Sequence, residues 1–302
     1  MLQSFPLVRL AALDLDGTLL NRNNEVTLAT RQAIARAVEH GVVVVPATGR
    51  PLASLPPVVA KLPGIRYAIT SNGAAVWDMG TDPLGAVYSR YSDATQRSTH
   101  EPVLLERHCL PPETAREVFA LYREYHGPLS IFSDGRSYLD GTGMTLFQDR
   151  HIQRHSTEAR QPDDGRTHVV RDLDEWMSRH AHEVEKFCMF FDSIEITQAA
   201  LVRFRAFPGI EAVQGAPDNV EVTAAGVDKG TALLALADLL GIPHENTLAV
   251  GDSENDRAML EKAGIAAVMA NGMPQIKAIG SIVSEADCDH DGVAELFGRL
   301  GI

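Results

Sequence analysis

Short apolar runs alternate with segments of helical periodicity at both ends of the chain. In the amino-terminal part, the runs that we predict to be buried strands lie at residues 7–13, 42–45 and 67–70. Between the first two, residues 31–40 have the spacing of a helix that begins after Thr27 and ends at Gly41. Strands that are separated by helices in this order are typical of a parallel sheet.

The same alternation returns near the carboxyl terminus, from residue 229 onward. The predicted strands there are 246–250, 265–269 and 282–284, and the predicted helices are 230–240, 258–263 and 273–278. Together the two ends predict one α/β core, a doubly wound, Rossmann-like parallel sheet formed by residues 1–84 and 222–302.

The pattern changes between these two segments, where His, Arg, aromatic and turn residues are more frequent. We predict strands at 103–106, 129–132 and 185–191, and helices at 113–125, 173–180 and 196–207. Residues 80–85 are interpreted as a turn between two short strands, and residues 161–165 as an exposed loop. Because these strands adjoin turns instead of alternating strictly with helices, the pattern favours an inserted α+β domain over residues 85–221.

Composition narrows the class of protein. The chain has 302 residues, and 45% of them are hydrophobic, which favours a globular protein of two domains. The formal net charge of −13 argues against partners such as nucleic acid or a membrane surface. Three widely spaced cysteines, Cys109, Cys188 and Cys288, predict reduced thiols and therefore a cytoplasmic protein.

The first candidate for chemistry is the pair of carboxylates in Asp14-Leu15-Asp16, directly after the first predicted strand. In open parallel sheets, ligands bind at the edge where strands end, and Gly17 lets the chain turn away there. Two like charges so close together repel each other. A divalent cation, a shared proton or a phosphate-handling site would each explain them, and so would a solvated turn.

Four polar clusters follow predicted core strands or begin a core helix. They are Asp14-Leu15-Asp16, Thr48-Gly49-Arg50, Lys229-Gly230 and the segment from Gly251 to Asp256. In their order and spacing these clusters resemble the motifs of the haloacid dehalogenase-like (HAD) superfamily of phosphatases. The long insertion between the second and third clusters resembles the Cof-type branch, whose C2 (IIB) cap domain lies there. The sequence Ser-Asn-Gly-Ala at residues 71–74 also resembles that branch.

The resemblance implies a role for each acidic or basic residue of the clusters. Asp14 is expected to be the nucleophile that forms an aspartyl-phosphate, and Asp16 the general acid and then base. Mg²⁺ is the implied cofactor, with Asp14, Asp16 and Asp252 as its ligands. Lys229 is expected to bind the phosphoryl group and steady the charge of Asp14. Asp256 is expected to orient Lys229 or the metal's waters.

The resemblance also implies a set of residues that bind the phosphate group. They are Leu15, Thr48, Gly49, Arg50, Asn72, Lys229 and Asn255. The Thr48 hydroxyl and the Gly49 N–H are donors suited to phosphoryl oxygens. For Arg50 two roles remain open, contact with the substrate or bracing of the loop.

We therefore expect a Mg²⁺-dependent phosphomonoester hydrolase that acts on small soluble phosphates, with sugar phosphates as the usual substrates of the family. One alternative is a phosphotransferase or phosphomutase that uses the same aspartyl-phosphate. Another is a non-catalytic binding or regulatory protein on the same fold. The expected partner is a small phosphorylated metabolite, and the expected assembly is a monomer or weak homodimer.

Overall fold

The computed structural model describes residues 5–89, 101–155 and 167–302. The strands are β1 (Leu10–Leu13), β2 (Val43–Pro46), β3 (Tyr67–Thr70), β4 (Ala75–Asp78), β5 (Val103–Arg107), β6 (Leu129–Ser133), β7 (Arg136–Asp140), β8 (Thr167–Val170), β9 (Lys186–Phe190), β10 (Ile210–Val213), β11 (Asn219–Ala224), β12 (Thr247–Gly251), β13 (Ile265–Val268) and β14 (Ile282–Val283). The helices are α1 (Leu28–Glu39), α2 (Pro57–Ala60), α3 (Pro83–Ser89), α4 (Pro112–Tyr122), α5 (Gly141–His155), α6 (Leu173–His180), α7 (Ile194–Arg205), α8 (Lys229–Leu239), α9 (Arg257–Lys262), α10 (Pro274–Lys277) and α11 (Gly292–Leu300).

The core is a parallel five-stranded sheet in the order β14-β13-β12-β1-β2. Alternate residues of β1 face opposite sides of this sheet. Ala11 and Leu13 pack in one apolar cluster with residues of α1 and α11. Leu10 and Ala12 pack in another with residues of α8. Helices therefore cover both faces, and the predicted doubly wound α/β core is confirmed.

A second sheet has six strands in the order β10-β11-β9-β6-β7-β8, and its neighbours are antiparallel except for the pair β7 and β8. Helices α4, α6 and α7 contribute to its apolar cluster. At the centre of that cluster, the rings of Tyr122 and Phe204 lie 4.2 Å apart. We call this unit the cap sheet.

The third sheet is small and antiparallel, in the order β3-β4-β5. It continues the core, because an isolated parallel bridge joins Ala47, directly after β2, to Ile69 in β3. Strand β5 was expected to belong to the inserted domain, yet it pairs with β4. Residue 85, the expected start of that domain, lies within α3. The division at residues 85 and 221 stays a prediction, and the strand pairing favours a start after Arg107.

Several elements differ from the sequence-based expectation. The turn at Gly80 is present, but Pro83 begins helix α3, where a strand was expected. That prediction was wrong because Asp82-Pro83 is a helix-start signal, with the Asp82 carboxylate accepting from the Gly85 N–H. Strands β7, β8, β10 and β11 and helices α5 and α11 were not predicted. The loop expected at residues 161–165 lies outside the described residues.

One glycine fixes how the core segments meet. Gly73, in the turn after β3, has a φ of 94°, and a Cβ there would lie 2.2 Å from the Asp228 carbonyl oxygen. Gly73→Ala should therefore lower the free energy of unfolding by about 2 kcal/mol or more, because it adds both strain and overlap. Thermal unfolding of the purified variant measures this loss.

The matched control is Gly298→Ala. Gly298 lies in α11, and a Cβ there would meet nothing within 4 Å. This substitution should raise stability by about 0.5–1 kcal/mol because alanine favours the helix. Equal unfolding temperatures for the two variants would contradict the packing described here.

Candidate active site

The site forms where the strand order of the core sheet reverses. Strands β1 and β12 are neighbours, but the chain continues from β1 to β2 on one side and from β12 to β13 on the other. The carboxyl ends of the two strands therefore leave a crevice, the usual place for a ligand in such sheets. Asp14 follows β1 and Asp252 follows β12, so two of the three expected metal ligands lie at the ends of these strands, at the crevice.

Lys229 lies between carboxylates at the start of α8. Its Nζ donates to Asp14 Oδ1 at 2.5 Å and to Asp256 Oδ1 at 2.7 Å, and its side chain is fully buried. A cation at a helix amino terminus is disfavoured by the helix dipole. Here two buried carboxylates offset that cost and raise the pKa of Lys229 against the effect of burial. The ammonium is therefore charged at neutral pH.

Asp256 is held on both of its oxygens. While Oδ1 accepts from Lys229, Oδ2 accepts from the backbone N–H groups of Asp252 and Ser253, at 3.0 and 3.1 Å. The turn after β12 is tight, since a Cβ on Gly251 would lie 2.6 Å from the Asp256 side chain. Asp256 thus fixes the positions of both Lys229 and the loop that carries Asp252.

Three carboxylates converge at this point. One oxygen atom each from Asp14, Asp252 and Asp256 lies within 4.8 Å of the others. The Thr18 hydroxyl donates to Asp252 Oδ1 at 3.2 Å. Gly17, with a φ of 86°, keeps the turn close, because a Cβ there would lie 2.7 Å from Asp252 Oδ2. The chain therefore folds so that acidic groups more than 200 residues apart share one small volume.

The electrostatics of this cluster are unbalanced. Burial and the charge of Asp256 raise the pKa of Asp14 well above its usual value, although Lys229 opposes this. Burial and Asp256 also raise the pKa of Asp252 to about 7. Both shifts show that burial, and then repulsion by Asp256, disfavour the charged carboxylates, which nearby positive charge would stabilise. A hard divalent cation with oxygen ligands would supply it.

Asp16 is placed apart from this cluster. Its side chain is 57% exposed, and Arg50 binds it through two bonds, Nε to Oδ2 at 2.9 Å and Nη2 to Oδ1 at 2.5 Å. Of the two roles left open for Arg50, the geometry favours bracing, because its guanidinium is already engaged by a carboxylate. The Asp16 carboxylate is therefore not one of the converging acidic groups.

Only some of the expected phosphate-binding residues line a common cavity. A cavity of about 400 Å³ is lined by Asp14, Asp16, Thr48, Gly49, Arg50 and Asn255 together with residues of the cap sheet. Asn72 is not in that lining, and its Nδ2 donates to Glu221 Oε2 at 2.6 Å. The Leu15 side chain is buried, and its carbonyl accepts from the N–H groups of Thr18 and Leu20.

The cap residues that line the cavity were not among the predicted site residues. Lys186 and Glu221 both reach it from the cap sheet, and the signal for Lys186 was a charge at the start of an apolar strand. The aromatic rings of Tyr138 and Trp176 pack on each other, with their centroids 4.8 Å apart. Neither of these two rings lines the cavity.

Comparison with known proteins identifies the family of this chain. The haloacid dehalogenase-like hydrolase family matches residues 11–91 and 95–297. The chain belongs to this family. Phosphatase YwpJ of Bacillus subtilis is 28% identical over 97% of this chain and 100% of that protein. The HMP-PP phosphatase of Cronobacter sakazakii is 30% identical over 90% of this chain and 88% of its own length.

Solved structures of the same family share the fold. A haloacid dehalogenase-like hydrolase from Bacillus subtilis has a TM-score of 0.75 and 26% identity, covering 97% of this chain and 100% of that chain. The HAD subclass IIB sugar phosphatase has a TM-score of 0.74 at 21% identity, covering 97% and 99%. The family resemblance and the enzyme class expected from the motifs, a HAD-type phosphatase, are confirmed. Within the described ranges of this HAD-like hydrolase, every helix is too short or too polar to cross a lipid bilayer.

Lys229→Met tests the charge balance of the cluster. Removing the ammonium leaves the negative charges of the buried Asp14 and Asp256 carboxylates without a counter-charge. We therefore expect the free energy of unfolding to fall by about 3 kcal/mol or more. The loss should be larger near pH 8 than near pH 5. Without Lys229 the folded-state pKa of Asp14 lies even further above its unfolded value, so the penalty grows as rising pH removes the proton. Denaturant unfolding at both pH values measures it.

Lys262→Met is the control for that experiment. Lys262 binds Asp228 beside the start of α8, but its side chain is 38% exposed. Its removal should lower the free energy of unfolding by less than about 1 kcal/mol, and this decrease should depend little on pH. An equal, pH-independent loss in both variants would contradict the role given to Lys229.

Proposed function

We propose that this HAD-like hydrolase is a Mg²⁺-dependent phosphomonoester hydrolase that works through an aspartyl-phosphate on Asp14. The observation that carries the proposal is the convergence of Asp14, Asp252 and Asp256 around one buried lysine at the crevice of the core sheet. An ordinary structural ion pair needs no third carboxylate.

The donor set fits the proposed metal. Mg²⁺ prefers oxygen ligands, and Asp14 and Asp252 offer converging carboxylate oxygens, whose pKa values are raised chiefly by burial and also by the charge of Asp256. We propose these two residues, with Asp16 contributing through its backbone carbonyl, as the ligands. Asp256 is proposed as an orienting residue because both of its oxygens already accept hydrogen bonds. When bound, the ion would neutralise charge as an anion attacks a phosphate.

The protein's own residues suit the two steps of hydrolysis. An oxygen of Asp14 attacks phosphorus, and the alcohol oxygen leaves with a proton from Asp16. Asp16 then takes a proton from a water molecule that attacks the aspartyl-phosphate and frees Asp14. Lys229 holds Asp14 Oδ1 and so orients the nucleophile, while Arg50 keeps Asp16 at the cavity. Thr48, Gly49 and Asn255 line the same cavity as donors for phosphoryl oxygens.

The cavity supports a small substrate. Its cap-side wall combines the buried polar side chains Ser130, Ser137 and Asn219 with the rings of Phe132 and Phe190. A volume of about 400 Å³ suits a small phosphorylated metabolite, and we propose a sugar phosphate. Among the relatives, one is named HMP-PP phosphatase and another 5-amino-6-(5-phospho-D-ribitylamino)uracil phosphatase. Both names describe small phosphorylated compounds.

The remaining sequence-based expectations stay predictions. They are a cytoplasmic location, a monomer or weak homodimer, and a catalytic core and cap divided near residues 85 and 221. A phosphotransferase would share the aspartyl-phosphate, but it would pass the phosphoryl group to a hydroxyl acceptor. A non-catalytic binding protein would bind phosphomonoesters and release no phosphate.

Asp14→Asn tests the nucleophile. The amide retains the shape of the side chain but cannot attack phosphorus, so phosphate release should fall by about 10³-fold or more. Release is measured with a panel of phosphorylated metabolites and p-nitrophenyl phosphate, with and without added alcohols. Asp238→Asn, at an exposed site on α8, is the control and should retain activity. Equal release from the Asp14 variant and the wild type would reject the mechanism, and product formed only with an alcohol would favour the phosphotransferase.

Removal and return of Mg²⁺ tests the cofactor. EDTA should abolish activity, and Mg²⁺ should raise the unfolding temperature of the metal-free protein. The rise should be larger near pH 8 than near pH 6, because a proton on Asp252, whose pKa is about 7, competes with the ion. The Asp252→Asn variant should lose most of this Mg²⁺-dependent rise in unfolding temperature. A wild-type shift that is absent, or unchanged in this variant, would contradict the assignment.

A further inference from the structure

Two oppositely charged residues of the cap sheet are buried against the active site and have no part in the steps above. Lys186 is the first residue of β9, and Glu221 lies in the neighbouring strand β11. Their Nζ and Oε2 atoms are 3.1 Å apart, and the two side chains are 1% and 9% exposed. Buried charges are costly unless each is fully bonded, so the other partners of this pair are informative.

Lys186 reaches from the cap sheet into the core. Its Nζ donates to the carbonyl oxygen of Gly49 at 2.5 Å and lies 4.5 Å from the centre of the Phe132 ring. Gly49 belongs to the Thr48-Gly49-Arg50 segment that follows β2 and lines the cavity. A cap residue therefore binds the backbone of a proposed phosphate-binding loop.

The bond from Lys186 to the Gly49 carbonyl fixes the direction of the next backbone donor, the N–H of Arg50. The Gly49 carbonyl and the Arg50 N–H belong to one planar trans peptide, so they point in opposite directions. With the carbonyl held by Lys186, the Arg50 N–H donates to the Thr48 hydroxyl oxygen at 3.1 Å. That hydroxyl then accepts on one side, and its own proton is free to serve a phosphoryl oxygen.

Glu221 likewise bonds to a second core loop, the turn at Ser71 and Asn72 that follows β3. Its Oε2 accepts from Asn72 Nδ2 at 2.6 Å. Asn72 has a φ of 57° and the preceding Ser71 a φ of 53°, a backbone shape that L-residues rarely adopt. The Asn72 N–H donates to the Thr48 carbonyl at 3.1 Å, and the Ser71 N–H to the Arg50 carbonyl at 3.0 Å. Glu221 thus helps to hold a strained turn that supports the first loop.

The fit around Gly49 leaves no spare room. A Cβ at this position would lie 2.8 Å from Asn72 Oδ1, 3.2 Å from Glu221 Oε2 and 3.3 Å from Lys186 Nζ. The two loops and the charged pair are therefore packed as one unit.

We propose that Lys186 and Glu221 are positioning residues, which orient the Thr48 hydroxyl by fixing the Gly49–Arg50 peptide and the turn at Asn72. The inference rests on the proposed function, because it gives Thr48 a phosphoryl oxygen to bind. It assigns part of the phosphate site to the cap sheet rather than to the core alone.

The test variant is the double substitution Lys186→Met/Glu221→Gln. It removes the bond to Gly49 without leaving a lone buried charge, and glutamine can still accept from Asn72. Tyr122→Phe is the matched control. Tyr122 is equally buried in the cap sheet cluster and loses only its hydrogen bond to the Val220 carbonyl, at the residue beside Glu221.

Three measurements are compared between wild type, control and double variant. Backbone hydrogen exchange of residues 47–50 and 69–74 reports the order of the loops. Inhibition by orthophosphate reports the phosphate site in the absence of a leaving group. Values of kcat/KM for p-nitrophenyl phosphate and a sugar phosphate report transition-state binding.

We expect the double variant to exchange these loop amides about tenfold faster or more, and to lose about 10- to 100-fold in kcat/KM for both substrates. Orthophosphate inhibition should weaken in parallel, and Tyr122→Phe should change none of the three. Loop exchange that stays at the wild-type rate would overturn the inference. So would a loss confined to the sugar phosphate with unchanged orthophosphate inhibition, because Lys186 would then bind the leaving group directly.

Failure of the proposed function has a different signature. If the wild-type protein released no phosphate from any ester, the hydrolase proposal would fail, whereas the exchange comparison would still decide whether the pair orders the two loops. If wild type were active and the loops exchanged equally in all three proteins, only the positioning role would be rejected.

Discussion

Repulsion among buried carboxylates is the constraint on which this site depends. Asp14, Asp252 and Asp256 are held within 4.8 Å of one another by the ends of β1 and β12, and one ammonium, that of Lys229, lies among them. Burial strengthens both the repulsion and the attraction because little water screens the charges. The fold keeps the cluster together through covalent continuity with two central, fully buried strands. This crowding of carboxylates costs stability, and the divalent cation that we propose would offset the cost by supplying positive charge.

The cap sheet contributes more than a cover. Its charged pair, Lys186 and Glu221, bonds to the two core loops at Gly49 and Asn72. Glu185, which precedes Lys186, accepts from the Ser71 hydroxyl, so two cap carboxylates bind consecutive residues of the strained turn. The same cap strands also present side chains to the cavity. The cap strands that line the cavity are therefore hydrogen-bonded to the two loops that we propose to bind the phosphate.

Local signals predicted the core well and the inserted segment less well. Thr27 was expected to cap α1, and its hydroxyl accepts from the Thr30 N–H. Asp134-Gly135 is a turn signal that was overlooked, although both residues have positive φ and join β6 to β7 in a hairpin. Helix α11 was missed despite apolar residues at Val293, Leu296, Phe297 and Leu300, which have helical spacing. In β5, the strand itself was predicted but its partner was not, because pairing depends on residues far away in the chain.

The sequence alone determined the family, the doubly wound core and the chemical identity of the clusters, because these depend on residue type, order and local periodicity. Only the tertiary structure decided which groups touch. It brought Lys229 onto Asp14 and Asp256, turned Arg50 toward Asp16, and directed the Asn72 amide to Glu221. The sequence predicted Lys186 only as part of a strand, and the fold brings its Nζ to the Gly49 carbonyl oxygen. Three of these five contacts, Lys229–Asp14, Asn72–Glu221 and Lys186–Gly49, join positions more than 100 residues apart. No local pattern encodes them, since they arise from how sheets and helices pack in three dimensions.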